Sequence, residues 1–499
     1  MDTVCRRSNN AEVTRSFLKI NDSAWIFADS LRTPMQVGML ATFQVPEGQP
    51  DFVADLVARW RTMRQFSAPF NWQLKMLPVP GWVTLDDDEI DLDYHLRHSA
   101  LPSPGSQREL GVLVSRLHSI KLDRRYPLWE FHVIEGLEED KFALYSKAHH
   151  SQVDGVGGIR LLKRMLSADP DRRDMLPPWA VGQDGPDQSS LPPKQKTKED
   201  DAGPPTTSNA GPASTVKRVV GGLRGGLGDT GEVLGSLAKT YAESATGISD
   251  PGRAVPFQAP KTIFNGRIHT PRRFATQQYS IERMQDVGER TDGSLNDVFL
   301  AVVGGALRRY LTELGELPDE PLVANVPVSV RPEGAAKAGN SITFLYATLG
   351  TDIEDPLERI RAIRDSTRMG KRRLPAVGGA AMDAYTAVLM LPFLSLAIMG
   401  VGDRGTPFAN IVVSNVPGMQ ETRYLDGAEL EEIYPVSLLF NGQALNITAV
   451  SYGGLFNIGF TGCRDSVPSL QRIAVYAGEE LAKIEDALDQ RKKRRGRAS

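Results

Sequence analysis

The order of helical and strand patterns along the chain predicts an α/β (mixed α+β) fold with more than one domain. At 499 residues the chain is longer than one ordinary hydrophobic core supports. Apolar residues recur at helical spacing in 52–66 and 109–118, whereas 129–135 and 141–147 alternate as strands do. The sequence shows no repeat of fixed period, which excludes a solenoid. These observations favour mixed helix and sheet layers around separate cores.

The strands 129–135 and 141–147 are separated by a short polar run, so they predict a hairpin. The second strand leads directly into the adjacent pair His149 and His150, and a helix is predicted at 157–165.

The C-terminal part contains the same mixture of elements. The predicted order is strand 274–280, helix 296–311, strands 322–330 and 341–349, helix 356–373, strand 410–415, a meander over 432–462 and a C-terminal helix. The apolar run 385–401 is interrupted by Pro392 and is shorter than a comfortable bilayer span. It predicts a buried or membrane-skimming helix.

Composition shifts divide the chain. Residues 182–214 are rich in Pro, Gly, Ser, Asp and Lys and contain almost no large apolar side chains, which predicts a disordered linker. The predicted division is an N-terminal domain at 14–181, this linker, a C-terminal domain at 215–490 and a basic tail at 491–499. Residues 215–245 are compatible with a surface helix, a cover over the site or further linker.

Bulk charge and cysteine content exclude several classes of protein. The formal net charge of −3 does not favour a nucleic-acid partner. The two cysteines, Cys5 and Cys463, lie far apart in the sequence, so neither a disulfide framework nor a cysteine-based zinc site is expected. The first residues lack the apolar core of a signal peptide, which favours the cytoplasm.

The strongest local signal is the run His149-His150-Ser151-Gln152-Val153-Asp154-Gly155 at the end of a predicted strand. Neighbouring side chains of a strand point to opposite faces, so one histidine can face a cavity while the other packs inward. Imidazole titrates near neutral pH and suits proton removal from an alcohol or thiol. Asp154 can fix the loop by accepting backbone N–H bonds or pairing with an arginine, and Gly155 gives the backbone freedom.

Two other interpretations of the histidine pair are a chance surface pair and a metal site. The spacing lacks the His-Glu-x-x-His pattern and a third ligand, so no metal is expected. Ser151 is not in a nucleophile-elbow context, which favours direct attack by an activated acceptor over a covalent acyl-enzyme.

His-His-x-x-x-Asp-Gly in this setting resembles the bifunctional wax ester synthase/acyl-CoA:diacylglycerol acyltransferase family, and the resemblance covers nearly the whole chain. The other elements that carry it are Asp22, Pro34-Met35, Leu101-Pro102, Pro104-Gly105, Leu122-Asp123-Arg124, Pro127-Leu128-Trp129-Glu130, Asn265-Gly266, Arg272-Arg273-Phe274, Asn296-Asp297-Val298, Pro327-Val328-Ser329-Val330-Arg331, Gly339-Asn340 and Ser414-Asn415-Val416-Pro417-Gly418. Met419 departs from the proline often found there.

This resemblance implies two chloramphenicol-acetyltransferase-like domains with a substrate tunnel between them. It implies that His150 is the general base, that His149 supports it, and that Asp154 is a structural support held by an arginine, for which Arg331 is the candidate. Asn296, at a predicted helix start, is the candidate oxyanion donor. It can equally be only a helix cap, a role for which Ser294 competes.

The remaining candidates are substrate-binding residues. The resemblance implies that Pro127, Leu128 and Trp129 lie near the acyl or alcohol channel, although a turn followed by a core tryptophan explains them as well. Gly155, Ser414 and Asn415 are also candidates, and 415–418 can be merely the turn that ends a strand.

The implied activity is transfer of a long-chain acyl group from acyl-CoA to diacylglycerol or a fatty alcohol, giving triacylglycerol or wax ester, with no cofactor. Such substrates imply peripheral contact with the inner membrane face or with lipid inclusions. The basic run 491–497 suits anionic headgroups, although such runs are usually solvated. Two alternatives stay open: a condensation-domain-like transferase using carrier proteins, and a lipid-binding relative without turnover.

Overall fold

The computed structural model describes residues 15–18, 20–182, 254–329, 342–375 and 380–498. The strands in these ranges are β1 (Arg15–Phe17), β2 (Gln36–Gln44), β3 (Trp72–Lys75), β4 (Gly81–Thr84), β5 (Leu96–Ala100), β6 (Trp129–Leu137), β7 (Lys141–His149), β8 (Arg272–Ser280), β9 (Val323–Ser329), β10 (Ile342–Thr348), β11 (Ile411–Met419), β12 (Tyr424–Leu425), β13 (Ala428–Val436), β14 (Leu445–Tyr452) and β15 (Leu455–Cys463). The α-helices are α1 (Ile20–Ala28), α2 (Phe52–Thr62), α3 (Leu92–His95), α4 (Gln107–Ser119), α5 (Gly155–Met165), α6 (Pro178–Val181), α7 (Ile281–Thr291), α8 (Leu295–Leu314), α9 (Pro356–Arg373), α10 (Ala380–Ile398) and α11 (Gln471–Ala498).

The first large sheet has the strand order β12-β13-β2-β7-β6-β5. Its centre is the antiparallel pair β2 and β7, in which Gln36 lies opposite His149. On the other side of β2 lies β13, which comes from the C-terminal half of the chain. It pairs antiparallel with β2, and Val436 lies opposite Gly38. The sheet of the N-terminal half is therefore completed by a strand that the chain makes almost 400 residues later.

The second large sheet has the order β10-β9-β11-β14-β15-β8 and consists entirely of strands that follow residue 271. Alternate side chains of its strands pack on different layers, as a pleated sheet requires. Ala324 and Val326 of β9 belong to the core that α8, α9 and α11 cover. Val323 on the same strand packs with α10 on the opposite face.

A cavity lies between the two sheets. From the first sheet it is lined by Met39, Ala41 and Ser146, and from the second by Asn325 and Ser414. The wall from β9 is the face that points away from α8, because Asn325 alternates with the residues that pack on that helix. Both halves of the chain therefore build the cavity.

The structure confirms the mixed α/β fold class and most predicted elements, with end points shifted by a few residues. It differs in three places. The predicted meander 432–462 is divided, because β13 joins the first sheet while β14 and β15 belong to the second. The strand predicted at 410–415 continues to Met419 through a register shift after Val416.

The third difference is the basic run, which was predicted as a tail and instead continues α11 to Ala498. The sequence predicts a linker at 182–214. Strands β12 and β13 follow that segment in the chain but join the first sheet with strands that precede it. Residues 183–253 lie outside the described part of the chain, so the predictions for 183–214 and 215–245 remain predictions.

Helix α10 corresponds to the apolar run around Pro392, which lies inside it. Within the described ranges, none of the helices combines the length and apolar character needed to cross a membrane.

We expect a fragment of residues 1–182 not to fold when it is produced alone. Without β13, the β2 edge of the sheet is unpaired, and the apolar side chains that Leu430 and Ile433 cover are exposed to water. The folding of the fragment is measured by its solubility, its circular dichroism spectrum and its resistance to limited proteolysis. Co-production with residues 254–499 is the control and should yield a soluble complex. A monomeric fragment that unfolds cooperatively by itself would contradict the expectation.

Candidate active site

Strand β7 delivers the two histidines to opposite sides of the first sheet. Ser146, Ala148 and His150 line the cavity, whose volume is about 620 Å³. His149, at the last position of β7, is buried behind them and is not part of the cavity wall. This is the geometry that strand alternation predicts, and it gives His150 alone direct access to a molecule in the cavity.

The His150 ring is held by its backbone and by an aromatic neighbour. Its backbone N–H donates to the carbonyl oxygen of Met35 at 2.9 Å. The indole of Trp25, on α1, stacks on the imidazole with the ring centroids 4.2 Å apart. Nδ1 is buried and has no hydrogen-bond partner among the described residues. A proton on Nδ1 leaves Nε2 as the basic atom.

Burial lowers the pKa of His150 below its usual value, and the negative charge of Asp154 partly offsets this effect. The direction follows from desolvation, which penalises the charged imidazolium. The ring is therefore neutral at pH 7 and able to accept a proton, which is the state that a general base needs.

His149 is fixed by hydrogen bonds on one side of its ring. Its Nδ1 accepts from the backbone N–H of Ser151 at 3.3 Å and lies 2.7 Å from the hydroxyl oxygen of the same residue. A ring nitrogen that accepts from a backbone donor carries no proton, so the proton of the neutral ring sits on Nε2. That atom lies 3.9 Å from Oδ2 of Asp29. Burial lowers the pKa of His149 to about 4.

Asp29 is the centre of a buried charge cluster beneath the histidine pair. Its Oδ2 lies 2.5 Å from Nζ of Lys121 and 2.9 Å from a guanidinium nitrogen of Arg124. Its Oδ1 accepts from the backbone N–H of Met35, the residue whose carbonyl holds His150. Asp29 and Trp25 were not identified from the sequence. Both residues lie far from the histidine motif in the sequence, and no local pattern there points to a role in the site. The one sequence signal close to Asp29 is Arg124, which belongs to an element that resembles the family.

Asp154 begins α5 as its N-cap, and its Oδ1 accepts from the backbone N–H of Gly157 at 2.6 Å. This is one of the two loop-fixing roles that the sequence predicts for it. The other role, an ion pair with Arg331, remains a prediction, because Arg331 lies outside the described residues. Gly155, the first residue of α5, lines the cavity, and a β-carbon there would come within 3.2 Å of the Val416 side chain.

The cavity wall is apolar near α5 and α10 and polar on the second sheet. Ser414 and Asn415 of β11, which the sequence predicts to bind substrate, line it together with Asn325, Asn446 and Thr448. Val416 and Pro417 also line it. They belong to β11, so this segment is not the strand-ending turn that the sequence also allowed.

Pro127, Leu128 and Trp129, predicted to bind substrate, do not line the cavity. Leu128 and Trp129 are buried in the core, and the indole Nε1 of Trp129 donates to the Phe70 carbonyl at 2.8 Å. These residues instead support the cavity wall from behind. Trp129 packs against Phe70, which does line the cavity, and the Leu128 carbonyl accepts from the backbone N–H of His149.

Asn296, the predicted oxyanion donor, is also absent from the cavity wall. It lies in the first turn of α8, which covers the face of the second sheet that points away from the cavity. The cap of this helix is Ser294, whose hydroxyl and backbone form a capping box with Asp297. The structure therefore brings neither the side chain nor the start of this helix to His150.

The site thus offers a neutral imidazole at the wall of a largely apolar cavity, an arrangement suited to deprotonating a hydroxyl group in an apolar substrate. The described ranges contain no cluster of three or more His, Cys, Asp or Glu side chains that could hold a metal ion.

Comparison with known proteins identifies the family. The profile of the wax ester synthase/diacylglycerol acyltransferase catalytic domain matches residues 18–299, and that of the corresponding C-terminal domain matches residues 338–485. The chain belongs to the wax ester synthase/diacylglycerol acyltransferase family. A Mycobacterium tuberculosis protein named as a diacylglycerol O-acyltransferase is 41% identical and covers 93% of the chain and 96% of its own length. The O-acyltransferase WSD of Acinetobacter baylyi is 36% identical over 94% and 96%.

Solved structures give the same assignment. The wax ester synthase/diacylglycerol acyltransferase of Marinobacter aquaeolei VT8 superposes with a TM-score of 0.72 at 33% identity, covering 95% of this chain and 100% of that one. The first condensation domain of the calcium-dependent antibiotic synthetase matches with a TM-score of 0.57 at 14% identity, over 95% and 96% of the two chains. This second likeness shows a shared fold.

We expect Asp154→Asn to move the acid limb of the kcat/KM profile to lower pH. The Asp154 charge raises the pKa of His150, so its removal lowers that pKa, and the neutral base then persists further into the acid range. The wild-type limb itself should lie below the ordinary histidine value of about 6.5. Asn caps helices as well as Asp does, so α5 keeps its start.

Asp154→Ala is the matched variant for that measurement. It removes the same charge but also the cap, and should lower the free energy of unfolding by about 1 kcal/mol. An acid limb that stays in place or moves upward in Asp154→Asn would show that Asp154 does not act on His150 through its charge.

Proposed function

We propose that this protein is an acyl-CoA-dependent O-acyltransferase that joins a long-chain acyl group to diacylglycerol or a long-chain alcohol. The observation that carries the proposal is the neutral His150 imidazole in the wall of a cavity shared by both halves of the chain. The names of the two relatives, at 41% and 36% identity over almost the entire chain, support the same reaction.

In this reaction His150 takes the proton from the acceptor hydroxyl as the hydroxyl oxygen attacks the thioester carbon. The tetrahedral intermediate then expels the coenzyme A thiolate, which receives the proton from the imidazolium. His149 supports the base from behind the sheet through Asp29, and Asp154 fixes the loop between the strand and α5. No covalent acyl-enzyme is needed, and the reaction consumes no cofactor.

The cavity suits apolar substrates. Its volume of about 620 Å³ falls within the range of about 300–1,000 Å³ that small-molecule sites usually have. Side chains such as Leu161, Leu162 and Met390 form much of its wall. Diacylglycerol and fatty alcohols both present one hydroxyl on an apolar body, so both fit this chemistry.

The test is an assay of purified protein with labelled palmitoyl-CoA and either diolein or hexadecanol. We expect ester formation with stoichiometric release of coenzyme A, and His150→Ala should reduce kcat about 10²–10⁴-fold because a general base is lost. His98→Ala is the matched control, since His98 lies on β5, with its Nε2 3.4 Å from a carboxylate oxygen of Glu135 on β6, and does not line the cavity.

Equal activity of the wild type and His150→Ala would contradict the assignment of the base. If the protein binds acyl-CoA but forms no ester with either acceptor, the lipid-binding alternative is favoured. Transfer from a carrier-bound acyl group, with none from acyl-CoA, would favour the condensation-type alternative.

We further propose that the protein works at a lipid surface, using an apolar patch formed by α1, the residues that follow it, and α10. The two helices contact each other. The large apolar side chains exposed there are Phe27, Leu31, Val388, Leu391, Ile398 and Met399. Trp25, Met390 and Phe393 from the same two helices line the cavity, so a lipid that enters at this patch is already beside the site.

Leu31→Ser combined with Met399→Ser should weaken binding to phosphatidylglycerol vesicles in a flotation assay. These side chains are 74% and 63% exposed, so the substitutions leave the folded core intact while they remove apolar contact with the lipid. Val475→Ser on α11 is the control, since Val475 is 51% exposed on the opposite side of the second sheet. An equal loss of vesicle binding in the Val475→Ser control, or no loss of binding in the double variant, would contradict the assignment of the patch.

A further inference from the structure

Gln443 is a buried amide that the fold leaves without a partner. Its side chain belongs to a residue that is 2% exposed and lines the cavity. Neither Oε1 nor Nε2 makes a hydrogen bond. Because both atoms lack a partner, the amide nitrogen is free whichever way the amide is oriented. A buried unpaired amide is destabilising, so such a group in a cavity wall points to a partner that arrives with the substrate.

The turn that carries Gln443 is held rigidly from both sides. The backbone N–H of Gln443 donates to the Phe440 carbonyl at 2.9 Å. The Asn265 amide donates to the Gly442 carbonyl at 2.8 Å, and the Gly442 N–H donates to the Gly266 carbonyl at 3.1 Å. Gly442 has a φ of +85°, and a β-carbon there would lie 2.1 Å from the Gly402 carbonyl oxygen. The amide of Gln443 is therefore presented from a fixed backbone.

Two aromatic contacts link this turn to the proposed base. Phe440, at the start of the turn, packs against Trp25 with the ring centroids 6.0 Å apart. Trp25 in turn stacks on His150 at 4.2 Å. Phe440, Trp25, His150 and Gln443 all line the same cavity.

The other side-chain amides of the cavity wall differ from that of Gln443 in their hydrogen bonding. In Asn325 and Asn415 only one of the two polar side-chain atoms is buried without a partner, whereas in Gln443 both are. Ser437, Thr448 and Asn446 bond to one another in a chain, and the Asn446 amide donates to the Leu438 carbonyl. Among the described residues that line the cavity, Gln443 is the one with a buried, unpaired amide nitrogen.

We propose that the Gln443 amide donates its Nε2–H to the carbonyl oxygen of the acyl thioester and stabilises the oxyanion that forms there. This inference rests on the proposed acyltransferase reaction. When the acceptor oxygen bonds to the carbonyl carbon, the π electron pair moves to the carbonyl oxygen, and His150 holds the acceptor's proton. The pair returns as the carbon–sulfur bond breaks, and the thiolate takes the proton from His150. A donor fixed in advance stabilises the developing charge without reorganisation.

The test replaces Gln443 with Met, which matches the side chain in length and has no N–H donor. We expect kcat to fall about 10²–10³-fold, as removal of one oxyanion donor does elsewhere. The KM for the acceptor should change little, because the contact strengthens in the transition state. The acid limb of the pH profile should stay in place, since the amide does not titrate. Gln443→Leu should behave in the same way.

Gln36 provides the matched control for stability. It is also 2% exposed, but its amide donates to the carbonyls of His118 and Ile120 and accepts from the N–H of Leu122. Gln36→Met should lower the melting temperature because it breaks these bonds. Gln443→Met should leave the melting temperature unchanged or raise it, because it removes a group that has no partner in the fold.

The outcomes separate this inference from the function on which it rests. A wild-type protein that forms no ester contradicts the proposed function itself. An active wild type with an unchanged kcat in Gln443→Met overturns the role of Gln443 alone. Unfolding of Gln443→Met also counts against it, because the amide would then have a structural task. A selective rise in the acceptor KM without loss of kcat would overturn it by assigning Gln443 to acceptor binding.

Discussion

The antiparallel pairing of β2 with β7 is the constraint on which the site depends. It sets Gln36 opposite His149. Met35 precedes Gln36 and His150 follows His149, so the backbone N–H of His150 meets the Met35 carbonyl. Because side chains alternate along a strand, a register shift of one residue would turn His149 toward the cavity and bury His150. The stacking of Trp25 and the cap at Asp154 refine a position that the strand register has already determined.

The same strand β2 also joins the two halves of the chain. One of its edges pairs with β7, which carries the histidines, and the other with β13, which is made more than 270 residues after β7. Gln443 lies in the segment between β13 and β14, just before β14, and lines the same cavity. The base therefore follows a strand of the first sheet, and the proposed oxyanion donor precedes a strand of the second sheet, which explains why neither half contains a complete site.

Elements with strong local patterns were predicted well. The hairpin of β6 and β7 and the amphipathic helix α9 lie where period and turn residues indicated, since side-chain burial in each follows from its own sequence. The roles predicted for site residues stay predictions, but the structure shows where each residue lies. His150, Gly155, Ser414 and Asn415 line the cavity, whereas Trp129 is a core residue and Asn296 lies on the far side of the second sheet. A helix start or a strand start carries no information about which face of a distant sheet it will meet.

The sequence by itself determined the mixed fold class, the position of the histidine pair at a strand end and, through its ordered elements, the resemblance to the acyltransferase family. These follow from local periodicity and from residue identity. Only the tertiary structure decided that β13 completes the first sheet, that Asp29 supports His149, and that Gln443 stands unpaired in the cavity wall. Each of these depends on contacts between residues far apart in the chain, and whether a buried amide has a partner is decided only when every neighbouring strand is in place.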